Sequence, residues 1–208
     1  VRAGRLVIDG AGFELGTGLS SDARAGTGDA GRVTVTVDGR AILRDGASIA
    51  SNTFTPGAAG EVTFTAGRAV IDGTGTRRFT GISSTAAPGS GGPAGEVTVT
   101  TAERLALLRG GIVISGSSAA GDAGTVTVRA GSLVVDGADA GGGLTGISSD
   151  VGAGPAASGG SVRVTAARAL TLRNSGSIGS SNFGTGQAGD VTIEASRLLI
   201  DNGIVSSA

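Results

Sequence analysis

The chain has 208 residues, a formal net charge of −1, 41 glycines, five phenylalanines, and no histidine, cysteine, methionine, tryptophan or tyrosine. Without His or Cys it holds no Ser-His-Asp or Cys-His nucleophile and no His/Cys zinc site, and its near-neutral charge supplies no field to gather nucleic acid or anionic lipid. A hydrophobic share of 39% is too high and too regularly placed for a disordered Gly/Ser linker, the missing G-X-Y period excludes collagen, and no apolar run approaches the ~20 residues of a membrane helix.

The first apolar triplet is Leu6-Val7-Ile8, closed by Asp9-Gly10. A glycine-rich insertion over 10–18 leads to Leu19 and Ser21, and a loop then runs to Ala30-Gly31. The second unit holds Val33-Thr34-Val35-Thr36-Val37, Ala41-Ile42-Leu43 with Asp45-Gly46, and Ile49 with Ser51; a loop opened by Ser51-Asn52-Thr53-Phe54 returns to Ala59-Gly60. The third holds Val62-Thr63-Phe64, Ala69-Val70-Ile71 with Asp72-Gly73, an insertion over 73–81, and Ile82 with Ser84. The fourth reads Val97-Thr98-Val99, Leu105-Ala106-Leu107, and Ile114 with Gly116. The fifth reads Val126-Thr127-Val128, Leu133-Val134-Val135 with Asp136-Gly137, an insertion over 137–146, and Ile147 with Ser149. The sixth reads Val162-Arg163-Val164, Leu170-Thr171-Leu172 with Asn174, and Ile178 with Ser180, followed by Ser181-Asn182-Phe183. Val191-Thr192-Ile193, Leu198-Leu199-Ile200 with Asp201-Asn202-Gly203, and Val205 with Ser207 close the series.

An Ala-Gly-x-Val-x-Val marker punctuates these units. Its glycines, Gly31, Gly60, Gly95, Gly124, Gly160 and Gly189, stand 29, 35, 29, 36 and 29 residues apart. Repeats of that length, built from short strands and glycine turns, predict a solenoid. Apolar and polar residues alternate within each segment, as in a strand with one buried face. The expected fold is all-β: a right-handed parallel β-helix of about three strands per coil and about seven coils, a rod on the order of 33 Å long at ~4.8 Å per coil. Residues 1–208 read as one continuous segment cut from a longer repeat protein, without separate domains.

Local roles follow. Residues i and i+2 of a strand share a face, so the third segments predict an inward aliphatic column beside an inward, mostly serine column, with like stacked on like. Asp-Gly and Asn-Gly corners are expected to supply positive φ. The insertions should leave one corner of alternate coils, as spacer loops. Phe54 and Phe183 are expected to tuck over the core edge.

The order AG-x-V-T-V, then L-x-L-x-D/N-G, then I-x-S-S/N, then a glycine-rich return to AG, resembles the filamentous haemagglutinin-type repeat of two-partner-secretion exoproteins from Gram-negative bacteria and cyanobacteria. The stretch from Gly186 to Ala195, GQAGDVTIEA, is the best single match. The chain departs from the usual repeat in carrying Asp, Thr, Ala and Arg where Asn is more common. The resemblance implies a structural stalk in a secreted or surface-anchored, outer-membrane-associated adhesin. It also implies export by an outer-membrane partner transporter and contact with a host or neighbouring-cell surface through an unknown ligand. Uncapped end coils predict end-to-end self-association.

No catalytic, cofactor-binding or metal-binding residue is expected, and no nucleic-acid partner. Asp29, Asp122 and Asp190 recur beside the marker but lack the Gly-Gly-x-Gly-x-Asp pattern of calcium-binding β-rolls, and are expected to be solvated corner carboxylates. Two alternatives remain. Thr34/Thr36, Thr63/Thr65 and Thr98/Thr100 would stack as an outward grid resembling the face of ice-binding β-solenoids. A carbohydrate-active β-helix would use carboxylates with arginine, although no Trp or Tyr is present as a sugar platform.

Overall fold

The structure, a computed structural model, describes residues 1–10, 16–73, 78–141, 143–152 and 157–208. In chain order the strands are β1 (Arg2–Ala3), β2 (Leu6–Asp9), β3 (Thr17–Ser20), β4 (Val33–Arg44), β5 (Ala47–Ala50), β6 (Val62–Asp72), β7 (Thr80–Ala86) and β8 (Val97–Leu108). They continue as β9 (Gly111–Ser117), β10 (Val126–Asp136), β11 (Gly146–Val151), β12 (Val162–Arg173), β13 (Ser177–Asn182), β14 (Val191–Asp201) and β15 (Ile204–Ser207). There is no helix among the described residues, and every ladder is parallel.

The strands wind into a β-solenoid of about six turns with about three strands per turn. One sheet runs β1-β4-β6-β8-β10-β12-β14, with β2 also on β4, and the other runs β15-β13-β11-β9-β7-β5-β3. We call the first level, β1 to β3, rung one; β4 with β5 is rung two, and so on to β14 with β15 as rung seven. The first and second segments of each unit run on as one long strand, and a register shift marks a bulge between them, as between Val37 and Arg40. Such a bulge bends the strand without ending the ladder. The third side of each turn is looser. It carries single bridges, Ala23 to Thr53 to Ala86, and backbone bonds such as Ala59 N–H to Pro93 O at 2.9 Å.

The core is built of like on like. Val33, Val62, Val97, Val126, Val162 and Val191 form one column through successive pairings. Ile49, Ile82, Val113, Ile147, Ile178 and Val205 form another on the second sheet. Phe64 is a fully buried aromatic, held between Val35 and Val99. Each buried full-size aliphatic contributes roughly 1.5–3 kcal/mol, so stability accumulates by rung.

The marker glycines and the inward serines interlock. Ser84 Oγ donates to Gly60 O at 2.6 Å and accepts from Gly95 N–H at 3.0 Å. Ser115 repeats this with Gly95 O at 2.7 Å and Gly124 N–H at 3.0 Å. Ser180 does so with Gly160 O at 2.8 Å and Gly189 N–H at 3.0 Å. Ser51, Ser149 and Ser207 donate to Gly31, Gly124 and Gly189 in the same way. A Cβ on Gly60, Gly95, Gly124, Gly160 or Gly189 would overlap the carbonyl oxygen of the marker glycine one rung below. Glycine is therefore required there by close approach of two backbones, and serine by the donor and acceptor that this approach leaves in the interior.

Three expectations are corrected. On rung four the inward pair is Val113 and Ser115, not Ile114 and Gly116: Val113 pairs with Ile82, Ser115 with Ser84, and Val113 is fully buried while Ile114 is half-buried. The run Ile112-Val113-Ile114 has no alternation to mark a face, and the Ser115 hydroxyl, bonded to two marker glycines, settles it. Secondly, positive φ is found at Asp45-Gly46, Asn174 and Asn202, and also at Arg109-Gly110, but Gly10, Gly73, Gly137 and Gly203 do not adopt it. At Gly10, Gly73 and Gly137 a Cβ would instead run into the carbonyl of Asp45, Arg109 or Asn174 on the next rung. Thirdly, Phe54 is 50% and Phe183 71% exposed, so neither covers the core; Phe54 lies under the Arg24 guanidinium, 5.3 Å from the ring centroid.

The insertions leave the same corner on rungs one, three and five; positions 11–15, 74–77 and 142 within them lie outside the described residues. Their last residues brace the short units: Thr80 Oγ1 accepts from Gly46 N–H at 2.9 Å and Thr145 Oγ1 from Gly110 N–H at 2.6 Å.

The rung-four register gives a direct check. Val113→Asp places a carboxylate in the dry core and should cost several kcal/mol or abolish folding, whereas Ile114→Asp should shift stability by less than about 1 kcal/mol. Urea unfolding of the two variants decides it; equal losses would refute the assignment.

Candidate functional site

With the core committed to apolar columns and the serine ladder, chemistry available to a partner lies in the outward columns. On the first segment the outward residues are the threonines. Thr34, Thr63, Thr98 and Thr127 pair in succession, followed by Arg163 and Thr192. Beside them Thr36, Thr65 and Thr100 align, followed by Arg129, Thr165 and Glu194. The hydroxyls of Thr63 and Thr98 are engaged, donating to Glu61 at 2.9 Å and Glu96 at 3.0 Å.

The second segment presents three outward columns. The first is basic. Arg40 pairs with Arg68, Arg104 pairs with Ser132, and Ala169 pairs with Arg197. Arg5 precedes Leu6 as Arg40 precedes its partner Ala41, and Arg68 precedes Ala69 as Arg104 precedes its partner Leu105, so all four stand in one file. Arg168 fills the gap at Ser132, donating to its hydroxyl at 3.3 Å and to Glu103 O at 3.0 Å. Arg68 meets Glu103 at 3.5 Å in an exposed ion pair. Among the described residues Arg5, Arg40, Arg104 and Arg197 make no ion pair or side-chain hydrogen bond. Beside the file lies a groove of about 360 Å³ lined by Arg5, Asp38, Gly39, Arg40, Gly67, Arg68 and Glu103.

The second column is aliphatic: Val7, Ile42, Val70, Ala106 and Val134 pair in succession, then Thr171 and Leu199. The third alternates in charge, Asp9, Arg44, Asp72, Leu108, Asp136, Arg173, Asp201, with Arg109 supplying the cation beside Leu108. Asp9 binds Arg44 at 2.6 Å, Asp136 binds Arg173 at 2.7 Å, and Asp72 binds Arg109, whose Nε lies 3.1 Å from Oδ1. Hydrogen bonds donated to Asp9 and Asp72 hold the Arg44 and Arg109 guanidinium groups above their usual pKa. On rungs one to six the acidic residues thus sit on long units and the basic ones on short units, so this corner is neutralised by stacking there.

Other carboxylates tie one rung to the next. Asp29 Oδ1 accepts from Ala58 N–H and Asp122 Oδ1 from Ser158 N–H, both at 2.7 Å, so these two are hydrogen-bonded rather than merely solvated. Asp22 accepts from Asn52 N–H at 3.1 Å, Asn52 from Thr85 N–H at 3.1 Å and Asp150 from Ser181 N–H at 3.0 Å, one amide or carboxylate oxygen per step. No group of three or more acidic residues that could hold a metal occurs among the described residues.

Comparison with protein-family models, with curated proteins and with solved structures returns no match. The function must therefore be argued from these columns alone. The arginine file was accessible to sequence reading: an arginine immediately precedes Leu6, Ala41, Ala69, Leu105 and Leu198. Its meaning was hidden by a net charge near zero, which says nothing about where charges gather.

Two carboxyls respond to acid in opposite senses. Burial pushes Asp136 up, but hydrogen bonds from Asn174, the Ala138 N–H and Arg173 outweigh it and hold the group below its usual value. Its stabilising contribution is present above the unfolded-state pKa and is lost as pH falls through the folded value. Burial raises Asp150 against the hydrogen bond from Ser181 N–H; its cost is present at neutral pH and is relieved as pH falls through its folded pKa. Asp150→Asn should therefore raise Tm at about pH 7, with the gain vanishing below about pH 4. Asp136→Asn should lower Tm at about pH 7 and flatten the loss between about pH 5 and 2. Melting curves across pH test both, and parallel profiles for wild type and variants would contradict them.

Proposed function

We propose that this chain is a structural stalk or display segment of a secreted or surface-anchored exoprotein of the filamentous haemagglutinin type, serving adhesion or biofilm contact after export by an outer-membrane partner transporter. The observation that supports this reading is the uninterrupted rung-on-rung core, in which each column runs through successive rungs. Leu198 and Ile200, inward on the last rung, are 48% and 46% exposed. Such a rod sets distance and presents side-chain columns, and its ladders supply rigidity without disulfides. In cells producing the parent polypeptide, antibody against this segment should label the outer surface, and deleting the transporter gene should abolish the label. Label confined to the cytoplasm would overturn the reading.

The open rungs carry a second expectation. The isolated segment should associate end to end with rising concentration, and Leu198→Lys with Ile200→Lys should shift it to monomer in sedimentation velocity. A strict monomer at all concentrations would count against it.

Ice binding is kept as a second reading because of the in-register columns Thr34-Thr63-Thr98-Thr127 and Thr36-Thr65-Thr100. Arg129, Arg163 and Glu194 interrupt them on later rungs, so any activity should be weak and lost in Thr63→Lys. Absence of thermal hysteresis in the wild type would end this reading. A carbohydrate-cleaving alternative has no comparable observation behind it and is not advanced.

A further inference from the structure

We infer that the outward face of the second segment is a binding track for a linear, carboxylate-bearing polysaccharide of the polyuronate class, laid along the solenoid axis with its carboxylates on the arginine file. Two observations and two points of general chemistry carry this. The file places Arg5, Arg40, Arg68 and Arg104 on four consecutive rungs, so cations recur every ~4.8 Å. A linked uronic acid advances by a distance close to that of a rung, so those carboxylates that the polymer turns toward the file fall in step with its guanidinium groups. Three of these four, Arg5, Arg40 and Arg104, are exposed and have no protein partner among the described residues. Arginine's planar fork matches a carboxylate in a two-bond pair, which a lysine or a solvated cation would not supply.

The neighbouring column adds the second half of the fit. Val7, Ile42, Val70 and Val134 lie beside the file, with Ala106 buried between Val70 and Val134, two residues further along each strand and so about 7 Å away. A pyranose has a C–H face as well as its acidic group, and it would lay that face on the aliphatic column while its carboxylate reached the arginines. The groove at the file's edge is lined by Arg5, Arg40 and Arg68 together with Asp38 and Glu103; Arg2 holds Asp38 at 3.6 Å and Arg68 holds Glu103 at 3.5 Å, so both carboxylates are countered within the protein.

Two other occupants fit less well. A nucleic acid would find no exposed aromatic in these columns on which to stack a base, and duplex phosphates follow one another at about 3.4 Å per strand, out of step with the rungs. An anionic membrane would meet, on the far side of the aliphatic stripe, a column in which Asp9, Asp72 and Asp136 already neutralise Arg44, Arg109 and Arg173, so only the single file of arginines would attract it. Neither objection applies to a single polymer strand following the file.

The inference is independent of the display reading, since it is measured on the isolated chain in solution and not on cells. Oligogalacturonates of increasing length are titrated into the 208-residue chain by calorimetry at low salt. Affinity should climb with length until the oligomer spans about four rungs and then flatten, and should fall as salt is raised. The triple variant Arg5→Ala, Arg40→Ala, Arg104→Ala should weaken binding by about tenfold or more with an unchanged melting profile, because all three side chains are exposed. Arg129→Ala, on the threonine face, should leave affinity unchanged and serves as the control. Fully methyl-esterified oligomers should not bind. Absence of binding by the acidic oligomers, or binding untouched by the triple variant, would overturn the proposal. Equal, length-independent binding of dextran sulfate would overturn it too, by reducing the file to an unspecific cationic patch.

Discussion

Everything in this molecule depends on one close approach: the backbone at each marker glycine lies directly over the marker of the rung below. No side chain fits between them, and the polar groups so enclosed need partners. The inward serine answers both constraints with one hydroxyl, donating to one glycine carbonyl and, at Ser84, Ser115 and Ser180, accepting from the glycine N–H of the next rung. Because side-chain direction in a strand has a period of two, this contact fixes the phase of every residue on the turn. The apolar columns, the threonine columns and the arginine file all inherit their register from it.

The alternation of long and short units has a chemical counterpart. At the corner after the second segment, aspartate stands on the long units and arginine on the short ones of rungs one to six, and each pair lies 35 to 37 residues apart in the chain yet in contact on adjacent rungs. Long units turn there through glycines that avoid the next carbonyl, short units through residues with positive φ. The two geometries stack as a pair. A threonine at the end of each described insertion on rungs three and five caps the glycine of the short unit below it, so the insertions have a structural task at their bases.

A solenoid sorts its surface into columns, and this is what gives a nearly neutral chain a strongly polarised face. Surface ion pairs contribute little singly, and those at the corner serve chiefly to cancel charge there. Among the described residues Arg5, Arg40, Arg104 and Arg197 of the file make no ion pair, and the stacking that aligns the core draws them into line. A rod of this construction presents any recognition chemistry as a repeat, and therefore suits partners that are themselves periodic. That property links the proposed role as a display segment with the proposed polymer track, although each stands on separate observations.

The sequence by itself determined the solenoid: strand segments of period two, a marker every 29 to 36 residues and a serine two residues after an inward aliphatic left little choice of architecture. It also determined that the core would be aliphatic and that His and Cys chemistry would be absent. It did not decide the face of Ile112-Val113-Ile114, where every residue is apolar and only the hydroxyl of Ser115 on two glycines selects Val113 as the inward one. Nor did it decide that Phe54 and Phe183 stay outside, because large apolar residues in loops carry no directional pattern. The positive φ at Arg109 follows from the corner's position in the stack rather than from residue preference. The arginine file was written in the chain but became a surface only in the fold. Residues some thirty positions apart are strangers along a chain and neighbours across a rung, and that distance is set by hydrogen bonding between turns, which no single stretch of sequence contains.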